Sequence, residues 1–131
     1  MNNTLLNVEN LVTHFKNTDG IFGKTTGIIS AVDNVSFQIK KSETLSLVGE
    51  SGCGKSTTGR SLLKLIPRTS GKITFNNQDI SEYTPKQMQK IRVNMQMIFQ
   101  DPFSSLNPRM TIGKTIAEPL EIHNLYQGKD L

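Results

Sequence analysis

The segment from Gly49 to Thr57 constrains this chain more than any other. It fits the pattern G-x-x-x-x-G-K-[ST] of a phosphate-binding loop. Glycine allows the backbone to turn where a Cβ would clash, so that successive N–H groups can point inward at a phosphate. Lys55 can reach the β and γ oxygens of a nucleotide, and the Ser56 hydroxyl can ligate Mg²⁺. The predicted phosphate site comprises Gly49, Glu50, Ser51, Gly52, Cys53, Gly54, Lys55, Ser56 and Thr57.

The flanking sequence supports this interpretation. Thr44–Val48 reads as a strand directly before the loop, and Ser56–Ile66 reads as a helix that Pro67 ends. Strand, loop and helix in this order are the context of a P-loop, whereas a bare glycine-rich turn needs neither flank. A dinucleotide-binding fingerprint is excluded, because Thr57 stands where its third glycine is required.

Composition excludes several classes of protein. No apolar stretch approaches the length of about 18 residues that a membrane helix needs, and the first residues lack a signal peptide pattern. The single cysteine, Cys53, cannot form an internal disulfide, and no Cys/His cluster indicates a structural metal. The net charge is +4, but the basic residues are scattered, which favours an ordinary solvated surface plus a polyphosphate site.

The remaining elements follow from periodicity and turn signals. Residues 84–87, Thr-Pro-Lys-Gln, predict a helix start with a capping box, and Thr111 is expected to cap a final helix that contains Pro119. Strands are predicted at Asn7–Val12, at Val35–Ile39 with alternating burial, at Lys72–Phe75 and, as a buried apolar run, at Met95–Phe99, with a loop over Asp19–Gly27.

The order of motifs resembles the nucleotide-binding domain of an ABC transporter. The resemblance rests on Phe15 after the first strand, the P-loop, and Met97-Ile98-Phe99-Gln100-Asp101-Pro102 further on. Two further stretches, residues 31–37 and 104–111, look like the F-type ATP-binding subunit of oligopeptide and dipeptide importers. The resemblance implies an α/β P-loop NTPase fold with a mixed sheet and helices, of which this chain holds an incomplete core.

The resemblance also implies roles for single residues. Phe15 would stack on adenine, the alternative being a core aromatic at the end of a strand. Lys55 would neutralise charge that develops on the γ-phosphate, and Ser56 would ligate Mg²⁺. Gln100 would contact Mg²⁺ or the attacking water when ATP is bound, the alternative being a polar strand end. The implied cofactors are therefore ATP and Mg²⁺.

Other motifs of the family do not occur in the sequence. Residues 1–131 contain no Leu-Ser-Gly-Gly-Gln-like signature, no apolar run that ends in Asp-Glu, and no switch histidine, since His123 comes too early in the order. We therefore expect residues 1–131 to be the N-terminal part of a single ABC-type domain. Alone, this part is expected to be poorly stable and to hydrolyse no ATP.

The implied function is ATP-driven import of peptides at the cytoplasmic face of the cell membrane. The implied partners are transmembrane permease subunits and a second, homologous ATP-binding subunit, with no nucleic acid. A soluble ABC-type ATPase that acts on nucleic acid remains an alternative, as does a non-catalytic remnant. The transported substrate stays open, because peptide and nickel importers share these motifs.

Overall fold

The computed structural model describes residues 3–19, 24–101 and 105–125. Its elements are, in chain order, β1 (Thr4–Asp19), β2 (Lys24–Lys40), α1 (Lys55–Leu62), β3 (Ser70–Phe75), β4 (Gln78–Asp79), α2 (Pro85–Ile91) and α3 (Ile112–Ile122). The chain divides after Thr84 into two compact units, and each is described by itself.

The first unit contains a four-stranded sheet with the order β2-β1-β3-β4. All three pairings in this sheet are antiparallel, so the parallel pairing of a mixed sheet is not among the described strands. Alternation along the strands places one set of side chains in the core and the other in solvent. The core of this unit consists of Leu6, Val8, Leu11, Val32, Leu63, Ile73, Phe75 and Ile80.

Three predicted strands are confirmed. The first two lie within β1 and β2, and the third lies within β3. Val35, Phe37 and Ile39 are half-buried while Ser36 and Gln38 are exposed, as the alternating pattern predicts. The loop expected over Asp19–Gly27 is shorter than predicted, because β1 continues to Asp19 and β2 begins at Lys24.

Two other predicted strands are wrong. Thr44–Val48 and Met95–Phe99 form no regular structure, and Val48 and Ile98 are 92% and 95% exposed. A buried strand needs neighbours on both edges and cover on both faces. Neither segment pairs with any of the four strands of the described sheet, so their apolar runs have no ladder to join.

The second unit contains α2 and α3. The predicted helix start at Pro85 and the predicted cap at Thr111 are both confirmed, since α2 begins at Pro85 and the Thr111 side chain accepts a hydrogen bond from the Lys114 backbone N–H. Pro119 lies inside α3 without ending it. Among the described residues, no helix is long and apolar enough to cross a membrane.

Candidate nucleotide-binding site

The loop that precedes α1 has a backbone that only glycine adopts readily. Gly52 and Gly54 have φ angles of +84° and +98°. A Cβ on Gly54 would lie 2.2 Å from the carbonyl oxygen of Ala31 in β2, whereas a Cβ on Gly52 would meet no atom within 4 Å. Gly54 therefore serves two purposes, because it makes the turn into α1 and lets the loop lie directly against β2.

The Lys55 ammonium group lies over this loop. Its Nζ atom donates hydrogen bonds to the carbonyl oxygens of Gly49 at 2.8 Å and Glu50 at 2.6 Å. Its third partner is the Cys53 sulfur, at 3.4 Å. These three contacts join the Lys55 ammonium group to the loop and place its positive charge at the predicted phosphate site.

Helix α1 is fixed to the loop and to the sheet by polar contacts. The Gly54 carbonyl accepts hydrogen bonds from the Thr58 backbone N–H at 2.8 Å and from the Thr58 hydroxyl at 3.0 Å. One turn later, the hydroxyl of Ser61 meets that of Thr13 in β1 at 2.8 Å, and both side chains are buried. Because this contact lies inside the core, it sets the position of α1 relative to β1.

The N-terminal end of α1 faces solvent with donors in place for an anion. Gly54 contributes no side-chain cap, so the first N–H groups of the helix have no side-chain acceptor at that position. Glu50, Ser51 and Ser56 are exposed, and Thr57 is half-buried at the start of the helix. Such an end binds phosphate through its N–H groups and its positive dipole.

The site also offers an oxygen ligand that suits Mg²⁺ bound beside a nucleotide. Mg²⁺ keeps several waters and takes few protein ligands, the remainder coming from phosphates. The exposed hydroxyl of Ser56 in the first turn of α1 suits that role. In the part of the chain that the structure describes, no three His, Cys, Asp or Glu side chains lie close enough to hold a metal by themselves.

Phe15 lies in β1, two residues beyond Thr13, and is 42% exposed. Its register partner is Ile29 of β2, two residues before the Ala31 carbonyl against which Gly54 packs. The aromatic ring therefore belongs to the part of the β1–β2 ladder beside the loop and is not enclosed in the core. The exposure of Phe15 differs from that of an enclosed core aromatic, and its stacking on adenine stays a prediction.

Gln100 lies in the second unit, exposed, after the irregular Met95–Phe99 segment. It lines a cavity of about 500 Å³ together with Phe99, Asp101 and Ser105. Pro102 and Ser104, which belong to the predicted motifs, lie outside the described residues. The role of Gln100 toward Mg²⁺ or water stays a prediction.

A set of hydrogen bonds from Lys64, here called the Lys64 clamp, follows the P-loop helix and was not predicted from the sequence. Lys64 has a φ of +50° and donates from Nζ to the carbonyl oxygens of Ser81 and Tyr83, at 2.7 Å each, and of Ile80, at 3.5 Å. Burial, and secondarily the charge of Arg68, lower the pKa of Lys64. The clamp ties the turn just after α1 to the segment after β4, and a single lysine gives no sequence signal for it.

Comparison with known proteins decides the family. Residues 32–129 match the family model described as ABC transporter. The chain belongs to the ABC transporter family. It is 52% identical over 126 residues to the glutathione import ATP-binding protein GsiA of Escherichia coli K12 and of Shigella dysenteriae serotype 1. The match covers 96% of the chain and 20% of the length of these relatives.

Solved structures confirm the predicted fold class. The dimeric structure of MJ0796, a bacterial ABC transporter cassette, has a TM-score of 0.73 and 25% sequence identity. A post-hydrolysis state of the same cassette, bound to ADP and Pi, has a TM-score of 0.73 and 26% identity. In both comparisons the match covers 96% of this chain and 50% of the cassette. The fold is therefore that of an ABC cassette, of which this chain spans about half the length.

Proposed function

We propose that this chain supplies the nucleotide-binding loop of an ATP-binding subunit that drives import through a membrane permease. The observation that carries the proposal is the Lys55 ammonium group, which is held over the loop by the carbonyl oxygens of Gly49 and Glu50. The relatives named above are glutathione import proteins, which supports a peptide-like cargo.

The proposed binding step exchanges the partners of Lys55. Its ammonium group leaves the loop carbonyls and donates to phosphate oxygens, while the N–H groups of the loop and of the first turn of α1 donate to the same oxygens. The left-handed conformation of Gly54 turns the loop into α1, as loops that present N–H groups to phosphate do. Because the loop is positioned by β2 and α1 in advance, little reorganisation opposes binding.

The remaining residues act around this centre. Ser56 holds Mg²⁺, which when bound neutralises charge on the β and γ oxygens. Phe15 offers a flat surface on which adenine stacks. Gln100 contacts Mg²⁺ or the attacking water when ATP is bound, and the residues after it touch the permease. In the proposed importer, a second ATP-binding subunit joins this one at the cytoplasmic face of the membrane.

The test uses the complete importer, reconstituted in liposomes, with phosphate release as the readout. Lys55→Ala is expected to lower turnover by roughly a hundredfold or more, as the loss of one preorganised donor does in other enzymes. Lys41→Ala removes an equal charge from the exposed turn after β2 and serves as the matched control. Turnover of Lys55→Ala within a few-fold of the control would refute the proposed role.

A further inference from the structure

A cationic cavity lies in the unit that contains α2 and α3, and none of its lining residues belongs to the P-loop. Its volume is about 360 Å³, large enough for a small organic anion. The side chains that line it are Lys86, Gln89, Lys90, Val93, Ile122, His123 and Asn124.

Among the described residues that line this cavity, the formal charge comes from two lysines. Lys86 and Lys90 are four residues apart on α2, so their side chains lie on the same face, and both are exposed. The salt bridges among the described residues join other pairs, and no carboxylate lines the cavity. Two like charges at this spacing repel each other, and a bound anion would relieve that repulsion.

The cavity is also built and held in place. The Gln89 side-chain amide donates to the carbonyl oxygen of Ile122 at 3.1 Å, which ties α2 to the last residue of α3. His123 is half-buried at the end of α3, where its backbone N–H is bonded to the helix, and its side chain lines the cavity. Val93 and Ile122 add apolar surface beside the cations.

We infer that this cavity binds the phosphate group of an organic phosphate. Two ammonium groups, an imidazole and the amide of Asn124 are donors suited to phosphate oxygens. The apolar walls suit the organic part that carries the phosphate. A soluble metabolite and an anionic phospholipid headgroup share this chemistry, and they are distinguished by experiment.

The test takes advantage of the two histidines of the chain. His123 lines the cavity, whereas His14 lies in β1, so their imidazole NMR signals report the site and a control in one sample. In the Lys55→Ala background, which weakens phosphate binding at the P-loop, glycerol 3-phosphate is titrated. Binding to phosphatidylglycerol vesicles is measured by sedimentation against phosphatidylcholine vesicles.

We expect one of two positive results. A saturable shift of His123 without a shift of His14 assigns a soluble phosphate. Sedimentation with phosphatidylglycerol alone assigns a lipid headgroup. In either case Lys86→Gln/Lys90→Gln weakens binding by at least about tenfold, because charge-assisted hydrogen bonds are lost. Lys114→Gln, at the other end of α3, leaves binding unchanged.

Two results would overturn the inference. One is the absence of both a His123 shift and selective sedimentation. The other is an equal loss of binding in Lys114→Gln and in the double variant, which would mean that binding depends only on the net charge of the protein. Both outcomes are distinguishable from a failure at the P-loop, since the His123 signal and the Lys86→Gln/Lys90→Gln variant report on this cavity.

Discussion

Replacing Gly54 by alanine should damage the nucleotide site far more than replacing Gly52. Both residues have positive φ angles, +98° and +84°, which cost a residue with a Cβ about 1–3 kcal/mol. Only at Gly54 would the new Cβ meet a backbone atom, the Ala31 carbonyl oxygen, at 2.2 Å. Moving the loop away from β2 adds roughly 1–3 kcal/mol, as overpacking does elsewhere.

The expected losses are therefore about 2–6 kcal/mol for Gly54→Ala and about 1–3 kcal/mol for Gly52→Ala. A displaced Gly54 carbonyl also weakens the two hydrogen bonds that it accepts from Thr58, so Mg-ATP binding should fall together with stability. Urea unfolding of both variants and of the unaltered protein gives the free energies, and calorimetric titration gives the affinities. Equal losses in the two variants would show that the contact with Ala31 does not position the loop.

Three further predictions concern other residues of the first unit. Ser61→Ala removes the hydroxyl that pairs with the buried Thr13 hydroxyl, and should lower the free energy of unfolding in urea by about 1–3 kcal/mol. Adding Thr13→Val should recover part of this loss. Strictly additive losses in the two variants would refute the coupling. Hydrogen bonds from Ser81 lower the pKa of Asp79 below 3.8, so the stability that the Asp79 carboxylate contributes is present above that pH and is lost as the pH falls through the lower folded value. Asp79→Asn should flatten this acid dependence of the free energy of unfolding. An unchanged dependence on pH would contradict the assignment. Cys53 is exposed and should be alkylated by iodoacetamide. Saturating Mg-ATP should slow this labelling, as followed by mass spectrometry. Equal labelling rates with and without Mg-ATP would place the thiol away from bound phosphate.

The sequence predicts the parts of this fold that local chemistry determines. Alternation along Val35–Ile39, the start of α2 at Pro85 and the cap at Thr111 each depend on neighbours in the chain, and each is confirmed. The positive φ angles of Gly52 and Gly54 also fit the glycine pattern of one short segment, and phosphate binding by that segment stays a prediction.

Features that depend on distant partners were not predictable in this way. Thr44–Val48 has the residues of a buried strand but no neighbouring strand in the described sheet, so its apolar pattern was misleading. The Lys64 clamp depends on carbonyl oxygens far along the chain, and the buried contact between Thr13 and Ser61 joins residues whose types give no sign of it. The roles of Phe15 and Gln100 came from resemblance and stay predictions.

The most direct test of the central claim is calorimetric titration of Mg-ATP into the purified chain and its Lys55→Ala and Lys41→Ala variants. We expect saturable binding to the unaltered chain and to Lys41→Ala. The affinity of Lys55→Ala should fall by at least about tenfold, because Lys55 exchanges its bonds to Gly49 and Glu50 for charge-assisted bonds to phosphate. Equal affinity of all three proteins, with circular dichroism spectra unchanged, would contradict it.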